Sequence, residues 1–377
     1  MPTKSTTYLS YLFTLTLFLQ FLVSAHAANR QDAEVVFLSP THKDSPFFKT
    51  TATLMQTVAD DLSLKLEIVH GEDLVVISDQ ARAILARDTL PDYLLISGLP
   101  DITDKLMVEA NRLGIKILLF NTGLDEHTTQ TLRQGDTALE HWIGQVLPDD
   151  QQAGSLLARK LIEKARSIDT LSDSGHIHLV GINGSIRSPA GRQRELGLRN
   201  YVANQPDVDL QQVIYTNWMQ SEAHQKTKLL LQRFEQVSVV WTAADALAFG
   251  AADAIKQQAN NGSTTVLTAG VDWLPQVSPL IASGQIAGSV GGHLFDAAWA
   301  LVTIYDHLHG HTQGFVAEQT QFYWVDKNNL HAVEALLQED QWKKINFLDF
   351  TKSHSGREHY DFGVHNLLLN PLHLNSE

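Results

Sequence analysis

Residues 34–62, EVVFLSPTHKDSPFFKTTATLMQTVADDL, contain the pattern that decides the fold. The apolar run 35–38 has no polar alternation, which predicts a strand buried on both faces. After a polar loop, Ser45 and Pro46 occupy the N-cap and the first position of a helix. Apolar residues then recur at helical spacing as far as Leu62. The stretch therefore predicts a βα unit whose Phe-Phe pair lies at the carboxyl end of the strand, where open α/β sheets bind ligands.

The same alternation of short apolar runs and amphipathic segments continues along the chain. Further strands are predicted at 65–70, 93–97, 115–120, 177–181, 211–215, 237–241, 265–269 and 286–290, and helices at 79–86, 103–113, 152–165, 189–202, 221–234 and 245–257. A polar stretch at 121–148 separates two such series, and we interpret it as a crossover. Because βαβ order produces parallel sheets, the sequence predicts an α/β protein with two doubly wound parallel-sheet lobes.

Composition and the N-terminus indicate an exported protein. The chain has 377 residues, of which 44% are hydrophobic and 19% charged, enough for two ordinary cores. Lys4, the apolar run 8–23 and the small residues around His26 predict a cleavable signal peptide over residues 1–27. Its removal takes away one lysine and no acid, which leaves 27 basic against 42 acidic residues, a net charge of −15. This charge argues against nucleic acid and anionic membrane surfaces as partners.

The chain has no cysteine. An exported protein without disulfides depends on the size of its core, and a lipid-modified cysteine near the signal peptide is ruled out. We therefore expect a monomer that is free in the periplasm of a double-membraned bacterium.

Patterns that would indicate an enzyme, a cofactor or a metal are weak. Residues 181–186 resemble a dinucleotide fingerprint but lack its third glycine and an acidic partner on the next strand. His307, His309 and His311, with Asp306, could hold a metal, although alternate spacing near a glycine is more typical of solvated imidazoles. No nucleophile elbow, zincin helix or Walker loop occurs. We expect no catalytic residue, cofactor or metal, and an exported enzyme remains a distant alternative.

Five motifs, in order, resemble those of the periplasmic sugar-binding proteins of the ribose- and galactose-binding type, whose fold the effector domain of the lactose repressor shares. They are Ser45-Pro-Phe-Phe48, the strand 115–120 followed by Asn121, Arg192-Gln-Arg-Glu-Leu-Gly197, the segment 241–251 around Asp245, and Ala269-Gly-Val-Asp272. The resemblance covers about 29–345. It implies a type I periplasmic binding protein with a multi-strand hinge, an N-terminal lobe at 28–137 plus 293–322, a C-terminal lobe at 138–292 plus 323–345, and a tail at 346–377.

The resemblance also implies which side chains bind the ligand. Aromatic residues flank a sugar ring, the first arginine of the third motif bonds sugar hydroxyls, and the final aspartate of the fifth motif accepts from one. Flat apolar faces and directed charged groups are what a polyol requires. The expected ligand-binding residues are Ser45, Phe47, Phe48, Asn121, Arg192, Trp218, Asp245, Asp272, Trp273 and His293. Structural alternatives are a solvated Arg192, a packed Trp218, and helix-capping roles for Asp245 and Asp272.

Three departures from the family pattern affect the expected ligand. Ala244 stands where the family has an asparagine, Ser45 replaces the asparagine of the first motif, and Gly291-Gly-His293 replaces a polar residue. A site that pairs with hydroxyls rejects analogues that leave its polar groups unpaired. We therefore expect a carbohydrate-like ligand other than an ordinary hexose or pentose, with Trp273 and His293 compensating for the lost contacts.

The sequence thus predicts a non-enzymatic solute-binding protein that closes its hinge around a ligand. Two partners remain open, the permease of an ABC importer or a membrane sensor such as a histidine kinase or diguanylate cyclase, which would serve chemoreception. The tail contains Phe347, Phe350, Tyr360 and Phe362. A solvated tail rarely has so many aromatic residues, so we expect part of it to pack on its own lobe or on the partner.

Overall fold

The structure, a computed structural model, describes residues 33–134, 138–168, 175–259, 265–312 and 314–369. The predicted signal peptide, residues 1–27, lies outside these ranges. Within them, twelve strands form two six-stranded sheets. Over the same residues, no helix combines the length and the apolar character that crossing a membrane requires.

The first sheet is entirely parallel. It consists of β1 (Glu34–Ser39), β2 (Lys65–His70), β3 (Tyr93–Ile96), β4 (Lys116–Phe120), β5 (Trp142–Pro148) and β11 (Val316–Thr320). The spatial order is β2-β1-β3-β4-β5-β11. The central strand β1 is buried on both faces, as its unbroken apolar run predicts.

The second sheet repeats this arrangement with one reversed edge strand. It consists of β6 (Ile177–Asn183), β7 (Val208–Tyr215), β8 (Val237–Thr242), β9 (Leu267–Val271), β10 (Ser289–Gly291) and β12 (Tyr323–Val325). The order is β7-β6-β8-β9-β10-β12, and β12 runs antiparallel to β10 while the other pairs are parallel. The predicted fold class, two doubly wound parallel-sheet lobes, is confirmed.

Helices cover the sheets. They are α1 (Pro46–Asp61), α2 (Leu74–Leu85), α3 (Thr103–Arg112), α4 (Glu126–Arg133), α5 (Asp150–Ser167), α6 (Pro189–Val202), α7 (Gln220–Arg233), α8 (Asp245–Ala259), α9 (Val277–Ala282), α10 (Asp296–Leu308), α11 (Leu330–Val333), α12 (Lys352–Ser355) and α13 (Val364–Leu369). Helix α2 begins five residues before its predicted start, because the Asp73 side chain caps it by accepting from the N–H groups of Val75 and Val76.

Strand β5 belongs to the first sheet, where it is hydrogen-bonded to β4 and β11. A boundary between residues 137 and 138 would separate this strand from the lobe that contains both of its partners. The following helix α5 packs in the core of the second sheet. We propose that the first crossing lies between β5 and α5, the second between β10 and α10, and the third between β11 and β12.

The C-terminal segment packs on the first lobe as additional core. Phe347, Phe350 and Phe362 are buried around Trp299, whose ring stacks on Phe362 with centroids 4.9 Å apart. Backbone N–H groups at 347, 352 and 353 donate to the carboxylates of Asp61 and Asp306. Of the two expected roles for the tail aromatics, the structure shows packing on their own lobe.

The end of this segment reaches one of the crossings. Gly292, which follows β10, has φ +113°, a conformation that favours glycine. A Cβ atom at this position would come within 2.8 Å of Val364 Cγ2 on α13. Helix α13 therefore lies directly against the chain where it passes from β10 to α10.

Candidate functional site

A cavity of about 1220 Å³ lies between the lobes, at the carboxyl ends of both sheets. The loops that follow β1, β3 and β4 line it from the first lobe. The loops that follow β6, β7, β8 and β9 line it from the second lobe, together with His293 after β10. This is the edge at which parallel sheets bind ligands.

The first-lobe wall is formed by the start of α1 and by the end of β4. Phe47 and Phe48 both line the cavity, with their rings edge to face and 5.2 Å apart. Ser45 precedes them in an extended N-cap conformation and makes no capping hydrogen bond with its side chain. Asn121 has φ +60°, and its amide lies 3.4 Å from the Ser97 hydroxyl. This wall thus offers aromatic surface beside hydroxyl and amide groups.

A buried arginine, Arg194 on α6, forms the floor and is only 4% exposed. Its Nε donates to Asp150 at 2.7 Å, and its Nη1 donates to the Ala243 carbonyl at 2.8 Å and to Asp272 at 3.4 Å. Burial acts to lower the pKa of Arg194, but the two carboxylates outweigh it and raise the pKa. The guanidinium is therefore a fixed charged donor at the base of the cavity.

His293 stands beside this arginine and is 2% exposed. Its ring stacks on Phe47 with centroids 4.9 Å apart and planes 10° apart. Burial, with a contribution from the Arg194 charge, lowers the pKa of His293 to about 3. Since Arg194 Nη2, 3.3 Å from His293 Nε2, can only donate, we assign the ring proton to Nδ1. This buried Nδ1 has no hydrogen-bond partner among the described residues.

Asp272, which directly follows β9, lies beside Arg194 at the base of the cavity in a strained backbone conformation. Its φ is +139°, and the next residue, Trp273, has φ +61°. Burial raises the pKa of Asp272, while Arg194 opposes the shift. The carboxylate lines the cavity and can accept a hydrogen bond there.

Trp218 faces the site from the second lobe. Its φ is +63°, and its backbone N–H donates to the Thr216 hydroxyl at 3.2 Å. The indole lies against Gly184, where an added Cβ would come within 2.0 Å of the ring. Because only glycine leaves this space, the indole is held in place while it lines the cavity.

The structure brings together seven of the ten expected residues on the cavity wall: Ser45, Phe47, Phe48, Asn121, Trp218, Asp272 and His293. The other three lie elsewhere. Arg192 is exposed and donates to the Arg187 carbonyl. Asp245 is fully buried and accepts from Leu274 N–H and the Ser289 hydroxyl, so it caps and braces the core, and its pKa is raised by burial and by the nearby Asp272 carboxylate.

Trp273 also departs from the expected position. Its ring is buried against Gly291, and its Nε1 donates to the Ser289 carbonyl at 3.2 Å. It therefore packs behind the wall instead of compensating for lost ligand contacts.

Of the two arginines in the Arg-Gln-Arg motif, the structure places Arg194 on the cavity wall and Arg192 outside it. The buried positions of α6 include Gly191, Arg194, Leu198 and Val202, which recur at helical spacing. Arg192 falls outside that stripe. Helical phase could have identified Arg194 from the sequence, whereas its partner Asp150 could not be found without the fold.

The histidines near residue 309 do not form a metal site with their neighbours. His307 Nδ1 lies 2.9 Å from the Tyr93 hydroxyl, and the His309 ring lies 2.8 Å from the Tyr305 carbonyl. Over the described residues, no group of three or more His, Cys, Asp or Glu side chains is placed to hold a metal ion.

Comparisons with known proteins agree with this geometry. The family model described as a periplasmic binding protein domain matches residues 35–312. A D-apiose import binding protein of Actinobacillus succinogenes is 22% identical over 270 residues, which cover 70% of this chain and 77% of the relative. One of Paraburkholderia graminis is 25% identical over 283 residues, which cover 74% and 80%.

Solved structures show the same relationship. A periplasmic sugar-binding protein from Pseudomonas fluorescens superposes with a TM-score of 0.78 at 26% identity and covers 90% of this chain and 99% of its own. An ABC transporter periplasmic solute-binding protein from Actinobacillus succinogenes, with bound D-allose, superposes with a TM-score of 0.68 at 17% identity, covers 79% and 98%, and shares the fold.

Proposed function

This chain belongs to the periplasmic binding protein family, and from that premise we propose that it is a periplasmic solute-binding protein for a carbohydrate-like molecule. It captures the ligand between its lobes as a monomer and presents the closed form to an ABC importer. The curated relatives are named for the import of D-apiose, and one solved neighbour is an ABC transporter component. These names support both the sugar and the importer.

The observation that carries the proposal is the convergence of aromatic and polar groups in one cavity. Phe47 and Trp218 come from opposite lobes and offer flat faces to the C–H surface of a sugar ring. Arg194 and Asp272 offer a charged donor and acceptor for vicinal hydroxyls. Few polar groups in a largely apolar cleft are the usual composition of a small-molecule site.

The remaining polar groups shape which sugar fits. Asn121 can donate and accept, and His293 lines the cavity as a neutral imidazole. Ala244, buried at the cavity where an asparagine is usual in the resembled family, offers no hydrogen bond. A ligand with one hydroxyl fewer or differently placed than in an ordinary hexose would leave no buried group unpaired.

Closure follows from the position of the site. A ligand that contacts Phe47 on the first lobe and Arg194 on the second binds the closed arrangement better than an open one, and so shifts the population towards it. The alternative outlet, a membrane sensor, rested on the C-terminal aromatics. Since these pack on their own lobe, we favour the importer.

Calorimetry against a panel of sugars tests the proposal. The panel contains D-apiose, D-allose, L-arabinose, D-ribose, D-galactose and myo-inositol, and mass spectrometry of the protein released from cells identifies any compound that co-purifies. We expect saturable one-to-one binding of a sugar or a co-purified polyol. Absence of both would contradict the function. Recovery of the protein in the cytoplasmic fraction would contradict the location.

A further inference from the structure

We propose that the cavity contains a second, outer subsite, and that the ligand is a sugar ring carrying a further unit with an apolar face. This inference rests on the proposed function and deepens it. The further unit is the flat face of a second sugar ring or an apolar aglycone, and both would use the same contacts.

The first observation is the volume of the cavity where the two lobes approach each other. Asp101, after β3, and Arg187, after β6, approach each other across the cleft with 3.4 Å between carboxylate and guanidinium. The cavity nevertheless measures about 1220 Å³. Sites for drug-sized molecules are usually about 300–1,000 Å³. A single furanose or pyranose ring is smaller than such molecules, so it would leave much of this cavity empty.

The second observation is that the two ends of the cavity differ in chemistry. The buried end contains Arg194, Asp272 and His293. Towards the solvent the lining includes Leu74 from the start of α2 on one lobe and Met219 from the loop before α7 on the other, 39% and 54% exposed, beside polar residues such as Asp73 and Gln220. A ligand that is bound by the buried polar groups and extends towards the solvent would reach these two aliphatic side chains.

The third observation is where exposed apolar residues occur. Eight large hydrophobic side chains are exposed among the described residues, and two of them, Leu74 and Met219, line the cavity from opposite lobes. Isolated exposed apolar residues are ordinary, but two that line one cleft from both lobes mark a surface that something covers. Continuity with the polar floor indicates that the cover is the outer part of the same ligand.

The side chains also limit the chemistry of that outer unit. Leucine and methionine cannot bond hydroxyls, so a polar group pressed between them would lose its water without compensation. An aromatic or alkyl aglycone, or the C–H face of a second ring, incurs no such loss. Covering two aliphatic side chains should raise affinity about tenfold over the free sugar.

Calorimetry with matched sugars tests the inference. D-Glucose, D-galactose, D-xylose and L-arabinose are each compared with the phenyl glycoside and with a disaccharide that has the same non-reducing ring. We expect at least one derivative to bind tenfold or more tightly than its free sugar, and the phenyl and disaccharide arms identify the outer unit. Free sugars that bind as tightly as every derivative, or a co-purified compound with a single ring, would overturn the subsite and leave the proposed function intact. If nothing binds and nothing co-purifies, both fail.

A double variant and a control distinguish an outer subsite from side chains that contact each other on closure without binding the ligand. The double variant L74S/M219S should lower the ratio of derivative to free-sugar affinity about tenfold. The control Leu229→Ser changes a leucine on α7 that is 64% exposed and does not line the cavity, and should leave the ratio unchanged. An equal loss of affinity for both ligands in the double variant, or an unchanged ratio, would refute the subsite.

Discussion

Two phenylalanine clusters of the first lobe have different roles, one in stability and one in ligand recognition. In the tail, Phe350 and Phe362 are buried against Trp299. At the cleft, Phe47 stacks on His293 but remains partly exposed on the cavity wall. The same side chain therefore contributes mainly to stability in one region and mainly to recognition in the other. What separates the two roles is whether the rest of the chain supplies the ring with partners on all sides.

The largest effect should come from removing the tail. Loss of Phe347, Phe350 and Phe362 at about 3–5 kcal/mol each matches the whole free energy of unfolding of a typical domain, about 5–15 kcal/mol. A chain ending at Ile345 should show no cooperative unfolding by circular dichroism. A chain ending at Leu369 retains these rings and serves as the control. A cooperative, ligand-binding chain ending at Ile345 would mean that the tail is not part of the core.

The next effect tests whether the cleft floor is structural, functional or both. Arg194→Ala leaves Asp150 and Asp272 buried without their partner, which should cost about 3–5 kcal/mol of stability. Loss of a charged hydrogen bond of about 2–3 kcal/mol should also weaken sugar binding roughly thirtyfold to a hundredfold. Arg194→Lys keeps the buried positive charge, so its comparison with Arg194→Ala separates the loss of stability from the loss of sugar affinity.

Arg192→Ala is the matched control, because this arginine is exposed two positions away. Its affinity should remain within about threefold of the parent protein, since surface substitutions of this kind change free energies by roughly 0.5 kcal/mol. If Arg192→Ala loses as much affinity as Arg194→Ala, the assignment from the motif was right and the one from the structure is wrong.

A pair of phenylalanine variants addresses the comparison directly. Phe350→Ala should lower the free energy of unfolding in urea by about 3–5 kcal/mol and leave the affinity of the folded protein unchanged. Phe47→Ala should cost about 1–2 kcal/mol, because part of the ring is already exposed, and weaken sugar binding about tenfold. The opposite pattern, or two variants with the same profile, would remove the distinction between the clusters.

A further effect is a change in pH dependence at the cleft floor. His293 has a folded pKa of about 3, below its ordinary value, so the unfolded chain takes up a proton that the folded chain refuses. The stability that the neutral His293 side chain contributes is therefore fully present above pH ~6.5. It is lost as the pH falls towards 3, by at most about 1.4 kcal/mol per pH unit. The free energy of unfolding, measured in urea at several pH values between 7 and 4, should fall less steeply with decreasing pH for His293→Gln than for the parent protein. Parallel curves would contradict this account.

Local patterns were sufficient for most of the fold. Buried strands such as β1 are unbroken apolar runs, and helix starts such as Ser45-Pro46 carry their own signals. The sequence did not predict β5, because one of its two partners is β11, about 170 residues further along the chain. No local pattern records that partner.

The site was predictable to the extent that each residue lies at the end of a strand. Asp272 and Asn121 follow strands whose carboxyl ends face the cleft, and both line it. Trp273 could not be placed, because the left-handed backbone at this turn directs its ring away from the cavity and against Gly291. Such turns depend on a neighbouring strand that the motif does not contain.

The contact between Val364 and Gly292 indicates where a dye can be attached to detect closure of the cleft. Helix α13 begins beside Gly292, at the proposed crossing from β10 to α10, so a fluorophore attached at the start of α13 should move little when the cleft closes. A second dye at the exposed Leu229 on α7 would move with the second lobe. Energy transfer between the two would then convert ligand binding into an optical signal.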